Sequence, residues 1–223
     1  SGMEEMMPGA AAKEIFKSLG SQLNGASLVV TGQLMNEDLE KSFSIFSQSF
    51  ASQKVYHWKN NPEQWSDFDG LLLRGDKNPN SNGVEKFLST HQIKTQFEEL
   101  ETSLEKSQVS TLVVVLPENT VLYSDLAKCL RLFGKAKNLI LLTSSKVSLV
   151  ELQDHPSLWV IPMKTTIEKS GSFTNFNGLV QSFKKVTTLV SEALTPDQAL
   201  TLMTGGEVTV EVMGQTPVKQ TLV

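Results

Sequence analysis

The stretch TTIEKSGSFTNFNGLVQS, residues 165 to 182, gathers the side chains best suited to shaping a ligand-facing loop: Glu168, Gly171, Asn175, Gly178 and Gln181. Thr165 and Glu168 have the spacing of a capping box. Gly171 and Gly178 permit positive φ, and Asn175 and Asn177 can bond to their own backbone. A second stretch, VVTGQLMNED at 29 to 38, joins an apolar run to a helix start through Gly32 and Asn36. Such a turn can present backbone amides to an anion, although a dinucleotide fingerprint needs three glycines and Gly32 stands alone. The chemistry on offer is binding, because the 165 to 182 stretch carries no obvious nucleophile, base or metal ligand. No phosphate-loop, nucleophile-elbow or zinc-protease motif occurs elsewhere in the sequence.

Cysteine and histidine usage narrows the choice further. Cys129 is the only cysteine of 223 residues, so the chain alone cannot supply a disulfide or the four or so thiolates of an iron-sulfur cluster. In SDLAKCLRLFG, Leu126, Cys129, Leu130 and Phe133 share one helical face, which places Cys129 in a core. His57, His91 and His155 are far apart with no paired ligand spacing and read as structural. Net charge is -4, against the clustered cations that a nucleic-acid surface needs. No apolar run approaches the roughly 20 residues that span a bilayer.

The elements that must position these residues alternate. Apolar runs SLVVTG, VYHW, TLVVVL, NLILLTS (138 to 144) and LWVIP (158 to 162) read as strands. Amphipathic stretches between them, among them EDLEKSFSIFSQSF and residues 124 to 133, read as helices. FDGLLLRGDKNPN reads as a further buried strand running into a turn shaped by Asn78, Pro79, Asn80 and Gly83. Residues 84 to 104 carry a helical stripe about 30 Å long if continuous, the alternative being two helices with a break near Thr90-His91. Continuous apolar strands alternating with helices predict an α/β fold whose sheet is mainly parallel and flanked by helices, Rossmann-like in plan. One α/β domain is expected over 1 to 195, with a sub-boundary near 105 to 110. A helix-turn-strand extension with a short β element follows over 196 to 223. Because LWVIP feeds the 165 to 182 loop, that loop lies at the carboxyl end of a parallel strand, where open α/β sheets form ligand crevices.

WVIPMKTTIEKSGSFTNFNGLVQS also resembles the strand-and-loop motif of the molybdopterin oxidoreductases. Pro162, Thr165, Glu168, Lys169, Gly171, Phe173, Asn175, Gly178, Val180 and Gln181 match it in order. VVTGQLMNED is similar to that family's strand leading into an Asn-Glu helix start, and FDGLLLRGDKNPNSNG to its strand ending in an Asn-Pro turn. Within the family the similarity is to the carboxyl-terminal region of the large iron-sulfur subunit of NADH-quinone oxidoreductase, the NADH dehydrogenase of respiratory complex I. Leu179 stands where the family commonly has Arg, and Ser172 where it commonly has Thr. Loss of that guanidinium removes a bidentate donor for anionic groups.

The resemblance implies a molybdopterin-oxidoreductase-like scaffold in respiratory electron transport, without catalytic residues or cofactors of its own. Iron-sulfur clusters are then expected elsewhere in the parent protein or complex. Its partners would be other subunits or domains of NADH-quinone oxidoreductase, with no nucleic acid and no direct membrane insertion. Its place would be cytoplasmic, held peripherally on the inner membrane through the complex. The alternatives are a degenerate molybdopterin- or nucleotide-binding domain, or a free adaptor with the same fold. Residues for a retained ligand would be Gly32, Asn36, Glu168, Gly171, Asn175 and Gln181.

Overall fold

The computed structural model describes residues 5–60, 62–71, 73–210 and 218–220. In chain order its helices are α1 (Pro8–Leu19), α2 (Asn36–Ser49), α3 (Ser81–Thr90), α4 (Phe97–Glu105), α5 (Leu126–Phe133) and α6 (Pro196–Met203). Five strands form one sheet: β1 (Ser27–Thr31), β2 (Val55–Trp58), β3 (Thr111–Val115), β4 (Asn138–Thr143) and β5 (Leu158–Pro162). Their order is β2-β1-β3-β4-β5, and every pairing is parallel. The protein is therefore α/β, as its alternating sequence predicts.

Why the strands read as unbroken apolar runs is visible in the layers. Successive side chains of a strand point to opposite faces, so a sheet covered on both sides buries all of them. On one face Leu28, Val30, Val113, Val115, Ile140 and Leu142 pack with Ile15 of α1, Phe43 and Phe46 of α2, Phe87 of α3 and Leu200 of α6. On the other face their neighbours Val29, Leu112, Val114, Leu139 and Leu141 pack with Leu100 and Leu104 of α4 and Leu130 and Phe133 of α5. Cys129 is in this second layer, where its thiol donates to Asp125. Burial first, then the Asp125 charge, pushes that thiol far above its ordinary pKa. The tail contributes α6, whose Ala199, Leu200, Leu202 and Met203 are fully buried. After it, β8 (Val208–Val210) pairs antiparallel with β9 (Val218–Gln220). The 105 to 110 connection is a turn from α4 to β3, with Ser107 at φ 53°.

One expectation changes. FDGLLLRGDKNPN forms no sheet strand: Leu71 and Leu73 are largely exposed, and one antiparallel bridge joins Phe68 to Arg74. The reason is turn chemistry that the apolar run outshone. Asp69 Oδ1 accepts the amides of Leu71 at 2.8 Å and Leu73 at 2.9 Å, while Gly70 takes φ 81°. Leu72 lies outside the described residues. The stripe over 84 to 104 is two helices, broken over 91 to 96. Thr95 Oγ1 donates there to Val55 O, and a Gln96–Glu99 capping box starts α4. Between β4 and β5 the chain makes a 3-10 turn at Val150–Leu152. Among the described residues no helix is long and apolar enough to cross a membrane.

The three histidines have structural partners. His155 Nε2 lies 2.9 Å from Ala136 O, and His91 Nε2 lies 2.8 Å from Glu40. His57 Nδ1 lies 2.8 Å from Glu85, which Lys59 also contacts at 2.9 Å. Burial lowers the His57 pKa, so the ring stays neutral and Nδ1–H donates to the carboxylate. That hydrogen bond and Lys59 hold Glu85 at about 2 rather than 4.5. Because its folded pKa is depressed, Glu85 contributes stability that is full above 4.5 and lost as pH falls toward 2. Glu85→Gln should therefore flatten the acid limb of the urea midpoint against pH in that window; an unchanged limb would contradict the assignment.

Candidate functional site

Strand order reverses between β1 and β3, and the crevice outside the carboxyl ends of those strands is where open α/β sheets take ligands. Four chain segments meet there: the turn after β1, the 116 to 119 turn after β3, the 143 to 145 turn after β4, and the stretch that follows β5. The last of these opens with a 3-10 turn, Thr166–Glu168, and continues as a hairpin of β6 (Gly171–Thr174) and β7 (Val180–Phe183).

The hairpin is latched to the first turns of α2 and α3. Glu37 accepts the amide of Ser172 at 2.7 Å and its hydroxyl at 2.8 Å. Asn36 Nδ2 donates to Ser172 Oγ and Thr174 Oγ1, both at 3.1 Å. Asn80, wholly buried, accepts the Thr174 amide at 2.6 Å and donates to Leu34 O at 2.6 Å and Asn36 Oδ1 at 3.0 Å. Asn36 is thus not a helix cap: Met35 holds the capping position, and Asn36 turns its amide toward the hairpin.

Glycine is required here for close approach. A Cβ on Gly171 would sit 2.6 Å from Met35 Sδ and 2.7 Å from Glu37 Oε2, so Gly171 is needed for space and not for positive φ. Gly83, expected in a turn, lies inside α3, where a Cβ would meet the Asn80 and Asn36 side-chain oxygens at 2.1 and 2.4 Å. Gly178 does take φ 77° at the hairpin tip. Around it Asn175 Oδ1 accepts the amides of Asn177 and Leu179, and Asn175 Nδ2 donates to Gln181 Oε1 at 3.2 Å.

Below the hairpin, the Thr165–Glu168 capping box forms as its spacing predicts. The Glu168 carboxylate is buried, which works against its charge. Amides of Val190, Thr165 and Leu189, with the Thr165 hydroxyl, more than offset that and lower its pKa. Glu118 accepts the amide and hydroxyl of Thr166 at 2.8 and 2.9 Å, tying this turn to the end of β3. Lys169 reaches Asp38 at 2.6 Å, with side-chain exposures of 12% and 5%. Burial raises the Asp38 pKa, and the Lys169 ammonium opposes the rise.

At the switch point itself the chain meets its own side chains. Gln33 exchanges hydrogen bonds with the Asn119 backbone at 3.1 and 2.7 Å. Asn78 bonds Asn60, whose amide donates to Leu122 O at 2.9 Å. Gly32 O accepts the Asn80 amide at 2.8 Å, and a Cβ on Gly32 would strike Ser81 Oγ at 2.6 Å, so the start of α3 fills the turn expected to cradle an anion. What remains is a cavity of about 30 Å³ between Gln33, Glu118, Lys164, Thr166 and Lys169. Ligand pockets run from about 300 Å³ upward, so this space suits water and not a pterin. Outside it a cleft of about 260 Å³ is lined by Glu37, Lys41, Lys164, Lys169 and Lys185. Lys164 borders both and is 8% exposed; its ammonium has no hydrogen-bond or ion-pair partner among the described residues.

The structure brings Asn36 and Gly171 into one latch, sets Glu168 in the capping turn below it, places Asn175 and Gln181 at its tip, and sets Gly32 beneath α3. Sequence reading passed over Asn80, Glu37, Asp38, Glu118 and Gln33 as latch partners. One signal was present in GSFT, where Ser172 and Thr174 share a face that is buried although polar. No family model matches this chain, and no curated protein matches it.

Proposed function

We propose that this chain is a cofactor-free scaffold module of the kind found in the large iron-sulfur subunit of NADH-quinone oxidoreductase, bracing iron-sulfur domains and neighbouring subunits that carry the electrons. One observation supports the reading most: the polar residues of the resembling loop are engaged with one another and with α2 and α3. A loop whose amides and carboxylates already satisfy each other holds a sheet edge together and offers few groups to a ligand. The same reading puts the module at the cytoplasmic face of the inner membrane through its partners.

Size-exclusion chromatography of the purified chain with purified NADH-quinone oxidoreductase subunits tests it. Co-elution is expected, and the chain purified by itself should carry neither molybdenum nor iron in stoichiometric amount by plasma mass spectrometry. Separate elution, or a stoichiometric metal, would overturn the reading; a free adaptor would elute alone. The unpartnered Lys164 ammonium favours a second reading, a degenerate pterin or nucleotide binder. In that case a nucleoside monophosphate should titrate saturably and Lys164→Gln should abolish the binding.

A further inference from the structure

Where β5 ends against the first turns of α2 and α6, the buried and half-buried charges are matched one by one, with a single exception. Asp38 has Lys169 at 2.6 Å, Glu37 has the Ser172 amide and hydroxyl, and Glu168 has the amides of Thr165, Leu189 and Val190. Asp197 accepts the Thr195 hydroxyl at 2.6 Å, and Glu118 accepts the amide and hydroxyl of Thr166. The exception is Lys164, 8% exposed, whose ammonium meets no acceptor among the described residues. A buried charge without a partner is costly. An anion seated beside it would remove that cost.

The space beside Lys164 has the form such an anion needs. Lys164 borders the cavity of about 30 Å³ and also the outer cleft of about 260 Å³, which Met35 and Asp38 of the α2 start and Thr195 and Gln198 of the α6 start help to line. α2 begins without a side-chain cap, and the amides of Asn36, Glu37 and Asp38 bond to no group among the described residues. Free first-turn amides at the positive end of a helix favour negative charge. Ser170, which lines the same cleft, accepts the Lys185 amide on Oγ at 2.9 Å and keeps its own proton to donate. At about 30 Å³ for each water, the cleft holds a phosphate-sized oxyanion with several waters. It falls short of the roughly 300 Å³ at which pockets for larger ligands begin, so a nucleoside would stand outside it.

We propose that this cleft is a binding site for a small oxyanion of the phosphate type, held by the Lys164 ammonium at the uncapped start of α2. The bound anion would tie the end of β5 to α2 and α6. The inference goes beyond the scaffold reading, which needs no ligand. It differs from the nucleotide reading in its occupant, a free oxyanion with no base or pterin to recognise.

The probe is inorganic phosphate, added to the full chain against potassium chloride of equal ionic strength. At about tenfold over its Kd, phosphate should raise the thermal unfolding midpoint by about 3 °C or more. Lys164→Met should raise the midpoint in chloride, because it removes an unmatched charge, and should lose the phosphate increment. Amide NMR locates the site without any substitution: the Asp38 and Lys164 signals should shift and saturate with phosphate while those of α5 stay in place. That titration decides the matter if Lys164→Met fails to fold.

An equal phosphate increment in Lys164→Met would overturn the proposal, since it would mark only the general strengthening of burial by such salts. So would a variant less stable than the parent in chloride, because the ammonium would then already be satisfied. Unmoved Asp38 and Lys164 signals would do the same. A nucleoside monophosphate that binds tenfold more tightly than phosphate would also overturn it and give the cleft to the nucleotide reading. The phosphate response is measured apart from co-elution with the oxidoreductase subunits, so this inference and the scaffold reading fail separately.

Discussion

Lys169→Met should destabilise the fold by about 3–5 kcal/mol near neutral pH, because removing one partner of a buried ion pair leaves the other charge uncompensated. Asp38 is the charge left behind, with 5% of its side chain exposed. Its folded pKa is raised above the ordinary 3.8 by burial even with Lys169 present. A carboxyl whose pKa rises on folding holds its proton longer in the native state, so the fold loses stability as pH climbs through 3.8 toward the folded value. Without the ammonium that rise is larger. The deficit of the variant relative to the parent should accordingly be smallest at and below 3.8 and grow as pH climbs past the parent's folded value, which lies above 3.8. Urea unfolding of both proteins across that range measures the difference; a deficit independent of pH would show that Asp38 is not the source. Asp38→Asn combined with Lys169→Met should recover much of the loss, since no charge then remains buried.

Asn80→Ala should cost about 3 kcal/mol, the expected sum for a buried amide whose removal strands several partners. Leu34 O loses its donor, Asn36 Oδ1 loses another, and the Thr174 amide loses its acceptor. The effect should be uneven across the molecule. Hydrogen exchange at Thr174 should accelerate by more than the global loss accounts for, because β6 is held to α3 through this side chain. Exchange in β1 and β3 should follow global stability alone. Asn80→Asp keeps the acceptor for Thr174 and loses both donations, so its Thr174 amide should stay closer to the parent. Equal acceleration in β1 and β6 would show that Asn80 supports the core and not the hairpin.

The sheet was legible because its strands are buried on both faces. Runs such as TLVVV and NLILL have no other easy explanation, and the helices between them carry clear stripes. Leu71 and Leu73 misled for the same reason. An apolar run weighs as strand until the Asp-Gly pair just before it, which binds the following amides, is given priority. At the candidate site, periodicity and spacing revealed only local devices: the Thr165–Glu168 box and the Gly178 turn. The latch joins Asn36, Glu37 and Asp38 to residues 131 to 138 positions later, through Lys169, Ser172 and Thr174. No periodicity spans such a distance. Asn80 in particular looks like an ordinary turn asparagine until Thr174 is beside it. Glycine at 83 and 171 was visible as a letter, while its cause, the approach of Asn80 and of Met35, belongs to tertiary structure.

The helices α1 and α6, far apart in sequence, lie side by side and share one core with α2. The buried faces of α1 and α2 thus gain part of their covering from Ala199, Leu200, Leu202 and Met203. During synthesis from the amino terminus, everything through β7 emerges before that covering exists, and a nascent chain must carry an open apolar groove on one flank until residue 203 is free. A ribosome stalled short of α6 would present that groove to chaperones, so closure of this core waits on translation past Met203.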